Sequence, residues 1–210
     1  MIITQINIWR GRVYISLDNG EKVQLAKPIF EESRLKVGDD LNCAEKENLI
    51  NLNEIFLIKA TALRLLGRRE HSGKELRDKL KLRGYSPENI NSVTENLIEL
   101  NLLSDERFTE VYVRSRIKYK KKSPRAIYYD LLKKGVDKDL IQNELGSISE
   151  EKIFANAREL AMKKVKSLKA KNENDIPGKL RNHLAYKAYS TRIINRIIDE
   201  VRKEINNAEI

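Results

Sequence analysis

The sequence contains a single cysteine, Cys43, so it cannot carry a disulfide framework or a cysteine-rich zinc site. Two histidines, His71 and His183, leave little material for metal binding or general-base chemistry. No apolar run reaches the ~18 residues expected of a membrane-spanning helix. The opening MIITQINIWRG has no basic segment followed by an apolar one, so no signal peptide is expected. A G-x-x-x-x-G-K-[ST] loop, a G-x-S-x-G elbow and an H-E-x-x-H pair are all missing, which removes the usual signs of nucleotide, hydrolase and zinc-protease sites. A metal-dependent nuclease needs clustered carboxylates, whereas Asp105 and Glu106 read as acids in the first turn of a helix. No catalytic residue, cofactor or metal is expected. The chain reads as a soluble, cytoplasmic, monomeric binding protein.

Basic charge is plentiful. The 210 residues hold 41 Lys and Arg against 31 Asp and Glu, a net charge of +10. An excess of this size points to an anionic partner: nucleic acid, an acidic protein face or a membrane surface. The charge is unevenly placed. Residues 1–58 carry 7 basic and 9 acidic side chains, whereas residues 59–145 carry 20 and 13. In the stretch Arg114–Lys134, nine basic residues face a single acid, Asp130. A face that serves only solubility interleaves both signs, because like charges three or four positions apart on a helix repel. The stretch is therefore expected to bind an anion.

The first 58 residues have their own pattern. Ile6 and Ile8, then Val13, Ile15 and Leu17, then Val23 and Leu25 mostly alternate with polar residues, as half-buried strands do. Gly11 and Asp18-Asn19-Gly20 separate the three runs, and Asn-Gly suits a tight hairpin with positive φ angles. Three short antiparallel strands are expected, with a short helix over Pro28–Leu35 and an extended piece near Val37–Leu41. Trp9 is expected to cover the small sheet, an interaction role beside Arg10 and Arg12 being the alternative.

From Glu54 onward the pattern is helical and repeats. Ser72 is followed at offsets 4, 8, 12, 13 and 18 by Leu76, Leu80, Gly84, Tyr85 and Ile90. Ser123 is followed at the same offsets by Ile127, Leu131, Gly135, Val136 and Ile141. Ile176 starts a third register with Leu180, Leu184, Ala188, Tyr189 and Ile194, in which alanine replaces the glycine. A partly apolar helix precedes each start, over Thr61–Arg69, Asp105–Tyr119 and Glu150–Leu168. Ser72 with Glu75 forms a capping-box pattern, and Ser86-Pro87 and Ser123-Pro124 mark two further helix starts. Gly84 and Gly135 have the character of left-handed residues that end helices. The expected architecture is mainly α: three tandem three-helix repeats preceded by a small antiparallel β unit. Its expected boundaries are 1–56 for the β unit, then 57–103, 104–148 and 149–210 for the modules. Lys169–Asp175 is the expected loop within the helical part.

The blocks Ala62–Tyr85, Leu97–Arg116 and Lys122–Val136 resemble the RecX family, bacterial regulators of the recombinase RecA. The pattern is matched by Arg69, Ser72, Glu75, Leu76, Leu80 and Gly84 in the first module. In the second it is matched by Leu103, Asp105, Arg107, Phe108, Tyr112, Arg114, Arg116, Pro124, Ile127, Leu131 and Gly135. The resemblance implies an elongated, curved array of three-helix units. It also implies a protein that lodges in the groove of the RecA–DNA filament on single-stranded DNA, limits filament growth, and reduces ATP hydrolysis and strand exchange. Homologous recombination and DNA repair are the implied setting.

The residues at core spacing, Leu76, Leu80, Tyr85, Ile90 and Leu131, are expected to pack. The candidates for contact with the filament or nucleic acid are Arg64, Arg68, Arg69, Lys74, Arg77 and Lys79 in the first module. In the second they are Arg114, Arg116, Lys118, Lys120, Lys121, Lys122, Arg125, Lys133 and Lys134. Arginine forks hold carboxylates or phosphates at two points, and lysines add positive potential. Tyr128 and Tyr129 follow Arg125, one expected in the core and the other exposed for stacking. The alternative function is a basic helix-turn-helix-like regulator acting directly on duplex DNA.

Overall fold

The computed structural model describes residues 1–169 and 175–206. The chain divides into two compact units, Met1–Leu103 and Ser104–Ile210.

In the first unit, β1 (Ile3–Trp9), β2 (Arg12–Leu17) and β3 (Lys22–Ala26) form an antiparallel sheet in sequence order. The alternation has the expected cause: Ile3, Val13, Ile15, Leu17, Val23 and Leu25 share one buried face with Leu41. The two turns differ from expectation. Arg10 (φ 47°) and Gly11 (φ 76°) are both left-handed, so the two-residue turn with paired positive φ joins β1 to β2. In the β2–β3 turn only Gly20 has positive φ, at 85°, and its N–H donates to the Leu17 carbonyl at 3.0 Å. This is a turn closed by a left-handed glycine, because Asp18 lengthens the loop by one residue. Trp9 also departs from expectation. It is 59% exposed, because it sits at the end of β1 on the face opposite the core.

Helix α1 (Lys27–Ser33) overlaps the expected segment, starting one residue before it and ending two before its end, and an isolated bridge from Ile2 to Asp40 is the expected extended piece. Helix α2 (Cys43–Leu66) starts well before Glu54. Its cap explains this: the Asn42 side chain accepts from the Glu45 N–H, and the Asn42 N–H donates to the Glu45 carboxylate, both at 2.9 Å. The N-terminal half of α2 places Leu49 against the sheet, and its C-terminal half places Ile58, Ala62 and Leu65 in the next core. Buried Asn53 bonds the edge of β3, accepting from the Ala26 N–H at 2.7 Å and donating to the Gln24 carbonyl at 3.3 Å. One helix thus serves two cores. It ends at Leu66, capped by Gly67, so Arg68 and Arg69 lie in the following turn and not in the helix as expected.

Helices α3 (Gly73–Lys81) and α4 (Pro87–Glu99) complete the first three-helix set around Leu76, Leu80, Ile90 and Leu97, all fully buried. The Ser72 hydroxyl caps α3, accepting from the Glu75 N–H at 3.1 Å. Ser86 makes no side-chain cap. Its hydroxyl donates instead to Glu54 at 2.6 Å, and the Glu54 carboxylate also accepts from the Ser86 N–H and from Asn89. Burial raises the Glu54 pKa, but these hydrogen bonds outweigh it and hold the group below its ordinary value.

The second unit repeats the order twice: α5 (Asp105–Lys118), α6 (Pro124–Lys133) and α7 (Lys138–Gly146), then α8 (Glu150–Lys169), α9 (Ile176–Tyr186) and α10 (Thr191–Asn206). Phe108, Val113, Ile127, Leu131 and Ile141 fill one core, and Ala161, Leu180, Leu184, Ile194 and Ile197 the other. In the third set the cap is Asp175, one position before the residue aligned with Ser72 and Ser123, and it accepts from the Gly178 N–H at 3.0 Å. Residues 170–174 of the expected loop lie outside the described residues. No helix among the described residues is long and apolar enough to cross a membrane.

The glycine turns explain the repeat. Gly84 (φ 81°) and Gly135 (φ 76°) are left-handed, and Ala188 holds the same place with φ 60°. A Cβ is strained in this region by roughly 1 kcal/mol. Ala188→Gly is therefore expected to stabilise the chain by about 1 kcal/mol and Gly84→Ala to destabilise it similarly, read from urea midpoints.

His71 is buried beside the start of α3, with Nδ1 2.9 Å from the Arg69 carbonyl. Burial lowers its pKa below 6.5, as burial with Lys164 and Lys187 does for His183. The unfolded chain takes up these protons first, so stability is lost as the pH falls through about 6.5. His71→Asn keeps a donor without titrating. The loss of stability between pH 7 and 5, measured by urea unfolding, is expected to be smaller in that variant.

Candidate anion-binding surface

The basic stretch of the second unit spans the end of α5, a short loop and α6. Ser104 starts α5, its hydroxyl accepting from the Arg107 N–H at 3.2 Å, with Asp105 and Glu106 in the first turn as the helix dipole favours. Ser123 starts α6 in the same way, accepting from the Ala126 N–H at 3.2 Å. The end of α5 and the loop between the two helices are clamped by the third helix set. Asn156 donates to the Ile117 carbonyl at 2.9 Å, Tyr189 donates to the Lys121 carbonyl at 2.7 Å, and Ser123 donates to the Lys187 carbonyl at 2.9 Å. Burial pushes the Tyr189 phenol up to about 12, so it remains a donor at neutral pH.

This framework sorts the cations. Lys121 is ion-paired with Glu159, and Lys122 with Asp130 at 2.6 Å. Tyr112 donates to the same Asp130 carboxylate at 3.1 Å. The Arg116 guanidinium lies 4.3 Å from the centre of the Tyr112 ring, and Lys134 lies 5.7 Å from it and 5.9 Å from Phe108. These four are half-buried parts of the fold as well as charges. Arg114, Lys118, Lys120, Arg125 and Lys133 are exposed. Arg114 faces Glu110 at 3.5 Å, an exposed pair of small energetic weight.

On α6, Arg125, Tyr129 and Lys133 recur every four residues and are all exposed, forming a cation–aromatic–cation stripe. Tyr128 packs against the core and meets Tyr129 edge-on at 5.6 Å, which divides the two tyrosines as expected.

The first-unit candidates form a smaller set. Arg64, Arg68 and Lys74 are exposed. Arg69 grips the Glu75 carboxylate at two points, 2.6 and 3.2 Å, and also donates to the Glu70 carbonyl. Arg77 is half-buried and donates through Nε to the Thr94 hydroxyl at 3.1 Å, while Lys79 is half-buried on α3. Arg69 and Arg77 therefore shape the module.

Two features escaped the sequence reading. The tenth residue after each repeat start is exposed: Leu82 at 88%, Lys133, and Tyr186 at 86%. Leucine, lysine and tyrosine share no side-chain chemistry, so positions alike only in exposure leave no pattern in the sequence. A cavity of about 430 Å³ in the third helix set is lined by Lys164, Lys179, His183 and Tyr186 among others. These residues are spread along α8 and α9, with no local signal in the sequence.

Similarity to known proteins follows the same regions. Residues 59–97 match the model described as RecX, first three-helix domain, and residues 104–145 the one described as RecX, second three-helix domain. The regulatory protein RecX of Clostridium botulinum (strain Eklund 17B / Type B) is 32% identical over 194 residues, covering 91% of this chain and 90% of that protein. That of Clostridium perfringens (strain 13 / Type A) is 33% identical over 210 residues, covering 98% of this chain and 97% of that one. A crystal structure of regulatory protein RecX aligns with TM-score 0.70 at 23% identity, over 94% of this chain and 98% of that one. The crystal structure of RecX from Lactobacillus salivarius aligns with TM-score 0.64 at 26% identity, over 72% and 98%.

Proposed function

This chain belongs to the RecX family of regulatory proteins, and on that premise we propose that it is a non-enzymatic modulator, mainly an inhibitor, of the RecA recombinase. In this reading it binds in the groove of the RecA filament on single-stranded DNA and limits filament growth, ATP hydrolysis and strand exchange. One observation carries the reading. Asp130, the single acid within Arg114–Lys134, is already held by Lys122 and Tyr112, so the exposed cations beside it have no acid of their own stretch to neutralise them. Lys118, Lys120 and Arg125 are left to meet an external anion, a phosphate of the strand or a carboxylate of the recombinase. The exposed Tyr129 beside Arg125 adds a stacking surface, and a filament repeats such anionic partners along its length.

Filament length is the test. Substoichiometric protein added to growing RecA filaments on single-stranded DNA is expected to shorten them, as seen by electron microscopy. Unchanged filaments, together with tight binding to particular duplex sites, would instead identify a regulator acting on DNA directly.

A further inference from the structure

The tip of the β1–β2 hairpin lies outside the surface on α5 and α6, and it combines two arginines with an exposed aromatic ring. From Met1 to Leu17 there is no Asp or Glu, and the only charged side chains are Arg10 and Arg12. The α-amino group is not available to add to them, being paired with Asp40 at 2.7 Å. Trp9, the single tryptophan, is 59% exposed, and neighbouring Ile8 is 58% exposed at the end of its strand. The sheet core is built without either. The Arg10 guanidinium lies 4.5 Å from the indole centre, carried there by the left-handed backbone of Arg10. Arg12 is the cross-strand partner of Trp9, and Tyr14 stands two residues along on the same face, half-buried.

We infer that this hairpin tip is a stacking site for single-stranded nucleic acid, with a base lying on the Trp9 indole and Arg10 and Arg12 meeting the flanking phosphates. The charge is complementary, since two arginines stand in a 17-residue segment free of acids. A flat aromatic ring with a guanidinium beside it suits an unstacked base, and only a single strand offers its base faces freely. β1 is also an edge strand, so nothing in the sheet lies beyond the tip on that side. The site goes beyond the filament reading, because it needs no recombinase.

The test uses the full chain alone with oligothymidylate. Because Trp9 is the only tryptophan, its fluorescence reports this site, and saturable quenching is expected. By anisotropy of a labelled oligonucleotide, Trp9→Ala is expected to weaken binding about tenfold, while Trp9→Phe keeps most of it. Arg10→Gly, which suits the left-handed backbone, and Arg12→Gln are each expected to lower the salt slope by about 0.7. Thermal melting of each variant should match the parent, since these side chains lie outside the core. Saturation without any change in fluorescence, or a Trp9→Ala variant that binds the oligonucleotide as the parent does, overturns the inference. If that variant keeps oligonucleotide binding and loses only recombinase filaments, the tip is a protein contact instead. With no recombinase present in the binding assay, its failure leaves the filament reading standing, and the failure of that reading leaves this site standing.

Discussion

A variant with Lys118, Lys120 and Arg125 all reversed to glutamate is expected to bind RecA filaments on the order of a hundredfold more weakly near 0.1 M salt. The reversal changes the local charge by six at a surface whose one internal acid is already occupied. At that salt concentration a charge is felt over about 10 Å, so of the acids outside the stretch Glu110 and Glu159, already paired with Arg114 and Lys121, act there, and more distant ones do not. The fold is expected to survive, because all three side chains are exposed and surface charges contribute little to stability. Arg116 and Lys121 would confuse the experiment. One is stacked on Tyr112 and the other is tied to Glu159, so changing them disturbs packing as well as charge. Two outcomes separate the anion. If the three side chains meet phosphates, the salt slope of binding to single strands falls by about 2, roughly 0.7 for each contact. If they meet recombinase carboxylates, weak binding to naked DNA persists and filament binding is lost. Full filament binding by the folded variant would remove this stretch from the mechanism and leave Arg64, Arg68 and Lys74.

Asn156→Ala is expected to cost about 2 kcal/mol of stability, because it strips the Ile117 carbonyl of its side-chain donor inside the protein. Asn156 is 4% exposed, and water does not readily replace it. The effect should reach the binding surface. The same junction is held by Tyr189, the Lys187 carbonyl and Glu159, with Lys118 at the end of α5 and Lys120 in the loop that follows. Loosening it spreads those charges over more positions, so filament affinity is expected to fall several-fold. The positioning role predicts that Tyr189→Phe, which removes the bond to the Lys121 carbonyl, acts in the same direction and more mildly. Asn156→Ala with unchanged urea stability and unchanged affinity would show that the third helix set does not position the loop.

The architecture was legible where physics is local. Alternation marked the three strands because each buries one face. The offsets from Ser72, Ser123 and Ile176 marked the helix sets because each core needs an apolar residue every turn. Left-handed Gly84 and Gly135 were legible because few other residues accept that backbone, and Ala188 shows the same turn made at a cost. The first half of α2 was hidden because its apolar residues serve two cores and buried Asn53 interrupts them to bond β3. Trp9 misled because bulk alone does not tell which face of a strand carries it. The candidate surface was legible as a charge run but not in its detail. Lys121 finds Glu159 38 positions away, and Asn156 finds Ile117 39 positions away, distances at which no sequence pattern pairs residues.

The proposed inhibition is read from the ATPase activity of RecA on single-stranded DNA, measured with this protein well below one copy per recombinase subunit. A marked fall in hydrolysis is expected, with the Lys118, Lys120 and Arg125 reversal restoring most of it. Hydrolysis that stays unchanged even at saturating protein would show that the protein does not inhibit the recombinase.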